Sequence, residues 1–163
     1  TDEFEEEALR RLKEALEESR IEWDENRARK LVPLMRERVS VWEDIGKLTQ
    51  AGEFDFFFAD PTPEPALIPQ KGTTPDDASR HLKAATDSRA AMSDADFDDP
   101  EKVKAAVWPY AEKEGRGNVL WPLRYALSGR AKSPDPFMIA SIIGRESVVR
   151  RARAAIEALE TGK

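Results

Sequence analysis

Three predicted helices begin where a helix-capping residue stands directly before a proline. These pairs are Thr74-Pro75, Asp99-Pro100 and Asp135-Pro136. Such a pair predicts a helix start, because the first side chain accepts hydrogen bonds from open N–H groups and proline suits the first helical position. Gly115, Gly129 and Gly144 predict the ends of three helices. Asn118 is a further predicted cap, at the start of the helix that ends at Gly129.

The N-terminal part of the chain also follows a helical period. Its first apolar residues recur every four positions and predict one buried stripe on a charged helix: Phe4, Ala8, Leu12 and Leu16. Asp24 is the predicted cap of a second helix that runs to about Arg38, and Pro33 inside it predicts a kink or a break near residue 32. Ser40 and Glu43 have the spacing of a capping box, which predicts a third helix. No segment alternates as a strand does, so the sequence predicts an all-α fold, a multi-helix bundle or cage.

Composition divides the chain into three parts. Residues 1–58 form a predicted N-terminal helical subdomain, and the phenylalanines at 54, 56, 57 and 58 predict a core cluster. Residues 59–75 hold five prolines and predict an extended surface connection instead of a fold element. Residues 76–163 form a predicted C-terminal helical subdomain. Thr1 stands where an initiator Met would, which indicates a piece of a longer or processed polypeptide.

The charge of the chain is unevenly distributed. The net charge is −6, which argues against a non-specific nucleic-acid binder. Residues 118–163, however, hold eight Lys and Arg against four acids, so any contact with a polyanion should be local to that third. The 163 residues include no cysteine, which excludes disulfides and thiolate zinc sites and predicts a reducing compartment, the cytoplasm.

The residues show no pattern of a catalytic or metal site. The single histidine, His81, stands among Arg80, Lys83 and alanines, and we expect it at the surface. The acidic run from Asp94 to Asp99 lacks the glycine and the distal Glu of a calcium loop, so it predicts a solvated linker. No Gly-rich phosphate loop or paired-histidine motif is present.

A short basic loop between two apolar helices is the strongest candidate for binding. Arg124 has two possible roles: an ion pair with a carboxylate of the same domain, or display of its planar fork for phosphate or base recognition. Ser133, Pro134 and Phe137 follow within fourteen residues. Single-stranded RNA is recognised through unstacked bases by aromatic faces, Arg planes and loop backbone, which this loop could supply. Arg38, at a predicted helix end, is a second and isolated candidate.

These residues lie within a pattern that resembles the C-terminal signature of bacterial-type glutamyl-tRNA synthetases. The similar segments are LRYALSG at 123–129, SPDPF at 133–137, IGRE at 143–146 with Arg150, and LVPLMRERVSVWEDIGKL at 31–48. The resemblance implies an isolated all-α anticodon-binding region that does not aminoacylate by itself. It also implies a parent that joins glutamate to tRNA with ATP and magnesium, while the region itself holds no cofactor. The implied partners are the anticodon loop of glutamate tRNA and the catalytic domain of the same protein.

The resemblance also assigns residue roles. Arg124 matches the residue that recognises the first anticodon base, and the family's loop contacts match Ser133, Pro134, Pro136 and Phe137. The family usually has leucine at position 136. Arg38 matches the position that tests the third base, where arginine goes with enzymes that accept glutamate tRNA only.

A different class of function stays open from the residues alone. The charged stripes of residues 1–30, together with the phenylalanine cluster, are also typical of a helical protein-interaction or scaffold module. Binding to a protein partner without any effect of RNA would favour that alternative.

Overall fold

The computed structural model describes residues 3–162, so Thr1, Asp2 and Lys163, at the outer ends of the two predicted subdomains, lie outside the described residues. Within that range there are nine α-helices, two short 3-10 turns and no strand. The helices are α1 Glu3–Glu18, α2 Glu25–Arg38, α3 Glu43–Gln50, α4 Pro75–Ala90, α5 Asp94–Phe97, α6 Pro100–Glu114, α7 Arg116–Ser128, α8 Pro136–Ile143 and α9 Arg145–Thr161. The predicted all-α class is confirmed. The chain divides into two compact units, after Ala59.

The first unit is built on α1, which packs against α2 and α3. Ala8, Leu12 and Leu16 are fully buried along one face of α1. Phe54 and Phe57 complete this core, where apolar burial is the main stabilising contribution. The Asp24 carboxylate caps α2, as predicted, by accepting from the Arg27 N–H at 3.1 Å.

Helix α2 continues through Pro33, so of the predicted kink or break the break is excluded. A second prediction for the first unit was wrong. Helix α3 begins at Glu43 without a side-chain cap, so Ser40 does not form a capping box. Instead the Asp44 carboxylate accepts from the N–H groups of Val41 and Ser40, and these bonds hold its pKa below the ordinary value. The Asp44 carboxylate has thus taken the role expected of the Glu43 carboxylate, which is to accept from the Ser40 N–H.

The second unit is centred on α4, which packs against α6, α7 and α9. Helix α8 also packs against α6, α7 and α9. All three proline-marked starts are confirmed: the carboxylates of Asp99 and Asp135 and the hydroxyl of Thr74 accept from first-turn N–H groups. Asn118 is not a cap, because α7 already begins at Arg116 and the Asn118 amide donates to the Glu114 carbonyl at 3.1 Å.

The proline-rich segment packs on α7 and is more ordered than the surface connection we expected. It contains a 3-10 turn at Pro65–Leu67, and Ile68 is fully buried. The indole N–H of Trp121 donates to the Leu67 carbonyl at 3.0 Å. The Glu64 N–H donates to the Tyr125 hydroxyl at 3.3 Å. These two α7 side chains therefore hold the segment against the second unit.

Two further predictions are corrected in the second unit. His81 is only 3% exposed, not at the surface, and its Nδ1 lies 2.8 Å from the Tyr110 hydroxyl. Burial lowers the pKa of this imidazole. The acidic run forms the single-turn helix α5, capped by Ser93 and anchored by Phe97, which is 1% exposed. One buried ring therefore turns a sequence expected to be a solvated linker into a helical turn.

Candidate nucleic-acid interface

The loop between α7 and α8, residues 129–135, is fixed at its entry by local hydrogen bonds. Gly129 has φ +67°, and a Cβ there would stand 2.7 Å from the Pro61 Cβ, so only glycine fits this position. The Ser128 hydroxyl donates to the Arg124 carbonyl at 2.9 Å and accepts from the Arg130 N–H at 3.1 Å. The helix end and the first loop residue are therefore held together.

The exit of the loop is fixed by the start of α8. The Asp135 carboxylate accepts from the N–H groups of Phe137 and Met138, both at 2.9 Å. The Ser133 hydroxyl donates to the Pro134 carbonyl at 3.0 Å. Ser133 and Pro134 are half-buried, so each has part of its surface open to solvent.

Arg124 is bound to the loop itself. Its Nη1 donates to the Ser133 carbonyl and its Nη2 to the Ala131 carbonyl, both at 3.2 Å. No carboxylate of residues 3–162 lies within ion-pair distance of this guanidinium, so it does not have the acidic partner that the sequence left open. A guanidinium carries five N–H donors, and these two bonds leave donors for another acceptor.

Trp121 lies beneath Arg124 and was missed by the sequence argument. The guanidinium carbon is 5.4 Å from the centroid of the indole, close enough for a cation–π contact. The indole in turn stacks on Tyr125, with centroids 5.7 Å apart and planes 11° from parallel. The spacings 121–124 and 121–125 are neighbour spacings on a helix, which is the signal that could have revealed this stack.

Pro136 and Phe137 lie beneath the loop. Both side chains are buried, and Phe137 is 7% exposed. Its ring meets Trp108 edge-on, with centroids 6.4 Å apart. Phe137 therefore does not present the open aromatic face expected of it. It anchors the first turn of α8 and so supports the loop from inside.

A second arginine of this region, Arg89, is fully buried and was also missed. Its guanidinium carbon lies 5.9 Å from the centroid of Phe137, and its Nη1 donates to the Ala85 carbonyl at 3.4 Å. No carboxylate among the described residues pairs with it, and burial lowers its pKa to about 10. The cation nevertheless remains charged at neutral pH, so it adds positive charge below the loop.

Two arginines of α9 are neutralised in part by one acid. The Asp60 carboxylate accepts from Arg150 at 2.6 and 2.7 Å and from the Arg151 Nε at 3.0 Å. These bonds, chiefly those from Arg150, lower the pKa of Asp60 to about 2. The Nη1 of the buried Arg151 also donates to the Leu127 carbonyl at 2.7 Å, which ties α9 to the last turn of α7 just before the loop.

Arg38 belongs to the first unit and is the last residue of α2. It is exposed, and its Nη2 forms an ion pair of 3.2 Å with the Glu53 carboxylate. The structure thus gives this predicted base-contacting residue an acidic partner, unlike Arg124.

The described range holds neither a metal site nor a membrane-spanning helix. No group of three or more His, Cys, Asp or Glu among residues 3–162 is arranged to hold a metal ion. Within the same range, no helix combines the length and the apolar character that a bilayer crossing requires.

The chain is similar to a known family of domains and to known enzymes. The family model described as "Anticodon binding domain" matches residues 3–156. The chain is 31% identical over 147 residues to a glutamate–tRNA ligase of Phocaeicola vulgatus, covering 89% of this chain and 27% of that protein. It is 31% identical over 137 residues to the enzyme of the same name from Clostridium acetobutylicum, covering 81% and 27%.

Solved structures give the same result. The chain superposes on a glutamate–tRNA ligase from Elizabethkingia meningosepticum with a TM-score of 0.74 and 28% identity, covering 96% of this chain and 30% of that one. A glutamate–tRNA synthetase from Elizabethkingia anophelis gives 0.66 and 26%, over 94% and 28%. The chain therefore spans between a quarter and a third of the length of these four proteins.

Proposed function

The chain belongs to the family of anticodon-binding domains, and we propose that it recognises the anticodon loop of a glutamate tRNA within a glutamate–tRNA ligase. One observation carries the proposal: Arg124 lies on Trp121 and is anchored on two carbonyls of the α7–α8 loop, and no carboxylate among the described residues pairs with it. The similarity to glutamate–tRNA ligases supplies the choice of tRNA.

Arg124 is the proposed contact for the first anticodon base. An anticodon loop presents unstacked bases, which proteins bind with Arg planes, aromatic faces and loop backbone groups. The two loop bonds and the indole beneath hold the guanidinium in one orientation before RNA arrives. Its remaining N–H donors suit the acceptor atoms of a base, and less rotamer entropy is lost on binding.

The loop residues divide into two proposed roles. Ser133 and Pro134 have solvent-accessible surface and are proposed to touch the nucleotides directly. Pro136 and Phe137 are buried and are proposed to act by fixing the position of Ser133 and Pro134 at the start of α8.

Arg38 is the proposed contact for the third anticodon base. Its guanidinium donates hydrogen bonds, which suits the acceptors of cytosine and not the donor edge of guanine. The ion pair with Glu53 does not prevent this, because exposed pairs of this kind stabilise by about 0–1 kcal/mol and exchange readily.

The wider assignment belongs to the longer protein. We propose that the two units are successive helical domains that divide near residue 59, and that a catalytic domain of the same protein binds ATP and magnesium and attaches glutamate. The cytoplasm is the proposed location, which the absence of cysteine fits.

A titration with a labelled anticodon stem-loop of glutamate tRNA tests the proposal. We expect binding at low salt, and a loss of about 1–3 kcal/mol, roughly five- to 150-fold in affinity, with Arg124→Ala. Arg153→Ala is the matched control, because Arg153 is an exposed arginine of the same unit without a carboxylate partner among the described residues. No binding at low salt, or equal binding by wild type and Arg124→Ala, would reject the proposal.

A further inference from the structure

Trp108 on α6 carries two cations on its indole. The Lys104 Nζ lies 4.6 Å from the ring centroid, and the Arg116 guanidinium carbon lies 5.0 Å from it. Lys104 and Trp108 are half-buried and Arg116 is exposed. These three residues are called the basic indole cluster below.

No carboxylate among the described residues pairs with the cluster. Of the ion pairs formed by residues 3–162, none includes Lys104 or Arg116. Exposed acids stand one turn to either side along α6, Glu101 before Lys104 and Glu112 after Trp108, and neither forms an ion pair with the cluster. Two like charges on one ring without a paired carboxylate create a local positive potential, which favours an anion at this surface.

The cluster adjoins the candidate loop by two routes. Trp108 meets Phe137, the residue under the loop exit, with centroids 6.4 Å apart. Arg116 and Arg124 stand eight positions apart on α7, which corresponds to a rise of about 12 Å and a rotation of roughly 80°. Both arginines therefore emerge from a neighbouring part of the α7 surface.

We propose that the basic indole cluster binds the phosphate backbone of the RNA whose bases the α7–α8 loop contacts. This inference rests on the proposed function. A phosphate suits the site better than a base does, because the indole is already covered by two cations. Lys104 acts as a point charge, and Arg116 offers a planar fork for phosphate oxygens. Such a contact holds the RNA in place without selecting its sequence.

The charge-removing double variant Lys104→Gln/Arg116→Gln tests the inference in titrations with the anticodon stem-loop from low to moderate salt. We expect affinity to fall about tenfold at low salt. The slope of log affinity against log salt should decrease by about 1.4, since each phosphate contact to a single strand contributes roughly 0.7. The ratio of affinities for the glutamate anticodon and a substituted anticodon should not change.

Controls separate this result from misfolding and from general charge effects. Lys113→Gln removes an exposed lysine of the same helix that lies about 140° from Trp108, and it should leave both affinity and slope unchanged. Lys104→Arg/Arg116→Lys keeps both charges and should restore most of the binding. Thermal unfolding of each variant reports whether the fold persists.

The outcomes distinguish the two proposals. If the double variant binds as wild type does while Arg124→Ala weakens binding, the inference is overturned and the proposed function stands. If the loss affects only the glutamate anticodon, the cluster contacts a base and the phosphate assignment is wrong. If wild type does not bind at low salt, both proposals fail.

Discussion

The guanidinium of Arg124 donates to the carbonyl oxygen of Ser133 at 3.2 Å, across nine residues of chain. The same group reaches the Ala131 carbonyl and rests on Trp121. One side chain therefore both shapes the loop and keeps N–H donors for a ligand. The loop and its main polar group are organised together before RNA binds.

Arg124→Ala should loosen the loop in the absence of RNA. Two hydrogen bonds to loop carbonyls are lost, so we expect a fall of about 1–2 kcal/mol in the free energy of unfolding. Amide exchange at residues 130–133 should accelerate while exchange in α4 does not. Hydrogen exchange followed by mass spectrometry measures both. Unchanged exchange in the loop would mean that Arg124 does not hold it.

Gly129→Ala should destabilise the second unit by about 2–3 kcal/mol. The positive φ is strained for alanine, and its Cβ would stand 2.7 Å from the Pro61 Cβ, so the proline-rich segment must shift. Gly72→Ala is the control, because Gly72 also has positive φ but no atom within 4 Å of the added Cβ. Urea unfolding of both variants separates strain from contact, and equal losses would contradict the packing seen here.

Acid should weaken the link between Asp60 and α9. The folded-state pKa of Asp60 is about 2, below the ordinary 3.8 of an unfolded chain, so the unfolded chain takes up the proton first. The stabilisation that the Asp60 ion pairs contribute is complete above about pH 4 and is lost as pH falls toward 2. The carboxylate is 44% exposed, so solvent screening reduces the contribution to about 1 kcal/mol.

Comparison with Asp60→Asn isolates this contribution. Asp60→Asn should have a lower free energy of unfolding than wild type at neutral pH, because its amide cannot neutralise Arg150 and the buried Arg151. Between pH 5 and pH 2 it should lose about 1 kcal/mol less than wild type, measured by urea unfolding at each pH. Parallel pH profiles would show that Asp60 does not titrate in this window.

Arg89→Met should stabilise the second unit by about 1 kcal/mol or more. Arg89 is fully buried and has no carboxylate partner in the described range. Replacing buried charged groups with apolar side chains often increases the stability of a protein. A methionine keeps the contact with the Phe137 ring. Thermal and urea unfolding measure the change, and a marked loss of stability would show that the cation itself is required.

Local signals in the sequence were reliable where one residue decides the structure. Thr74, Asp99 and Asp135 each cap the helix that the following proline begins, because both effects act within one turn. The predicted helix starts at Ser40 and Asn118 were wrong, because neighbouring residues compete for the same backbone groups or let the helix begin earlier. Gly115 lets α7 start before Asn118, and Asp44 takes the donors near Ser40.

Burial was harder to predict, because it depends on residues distant in sequence. Nothing near His81 shows that Tyr110 will cover it. Likewise, Phe137 is enclosed by Trp108 and Arg89, which lie in other helices. The position of Arg124 at the loop followed from the sequence, whereas its carbonyl partners depend on the path of the loop backbone.

Arg38→Gln should relax selection at the third anticodon base. In the proposed function the Arg38 guanidinium donates to cytosine acceptors, and glutamine offers both a donor and an acceptor, so it also suits guanine. We expect the preference for a stem-loop whose third anticodon base is C over one whose third anticodon base is G to fall by about 1–2 kcal/mol. Glu53→Gln is the companion variant, because it releases Arg38 from its ion pair. It should strengthen binding to the stem-loop with C as third anticodon base by up to about fivefold. Competition between the two stem-loops measures both effects. If Arg38→Gln weakens both equally, Arg38 contacts phosphate instead of a base.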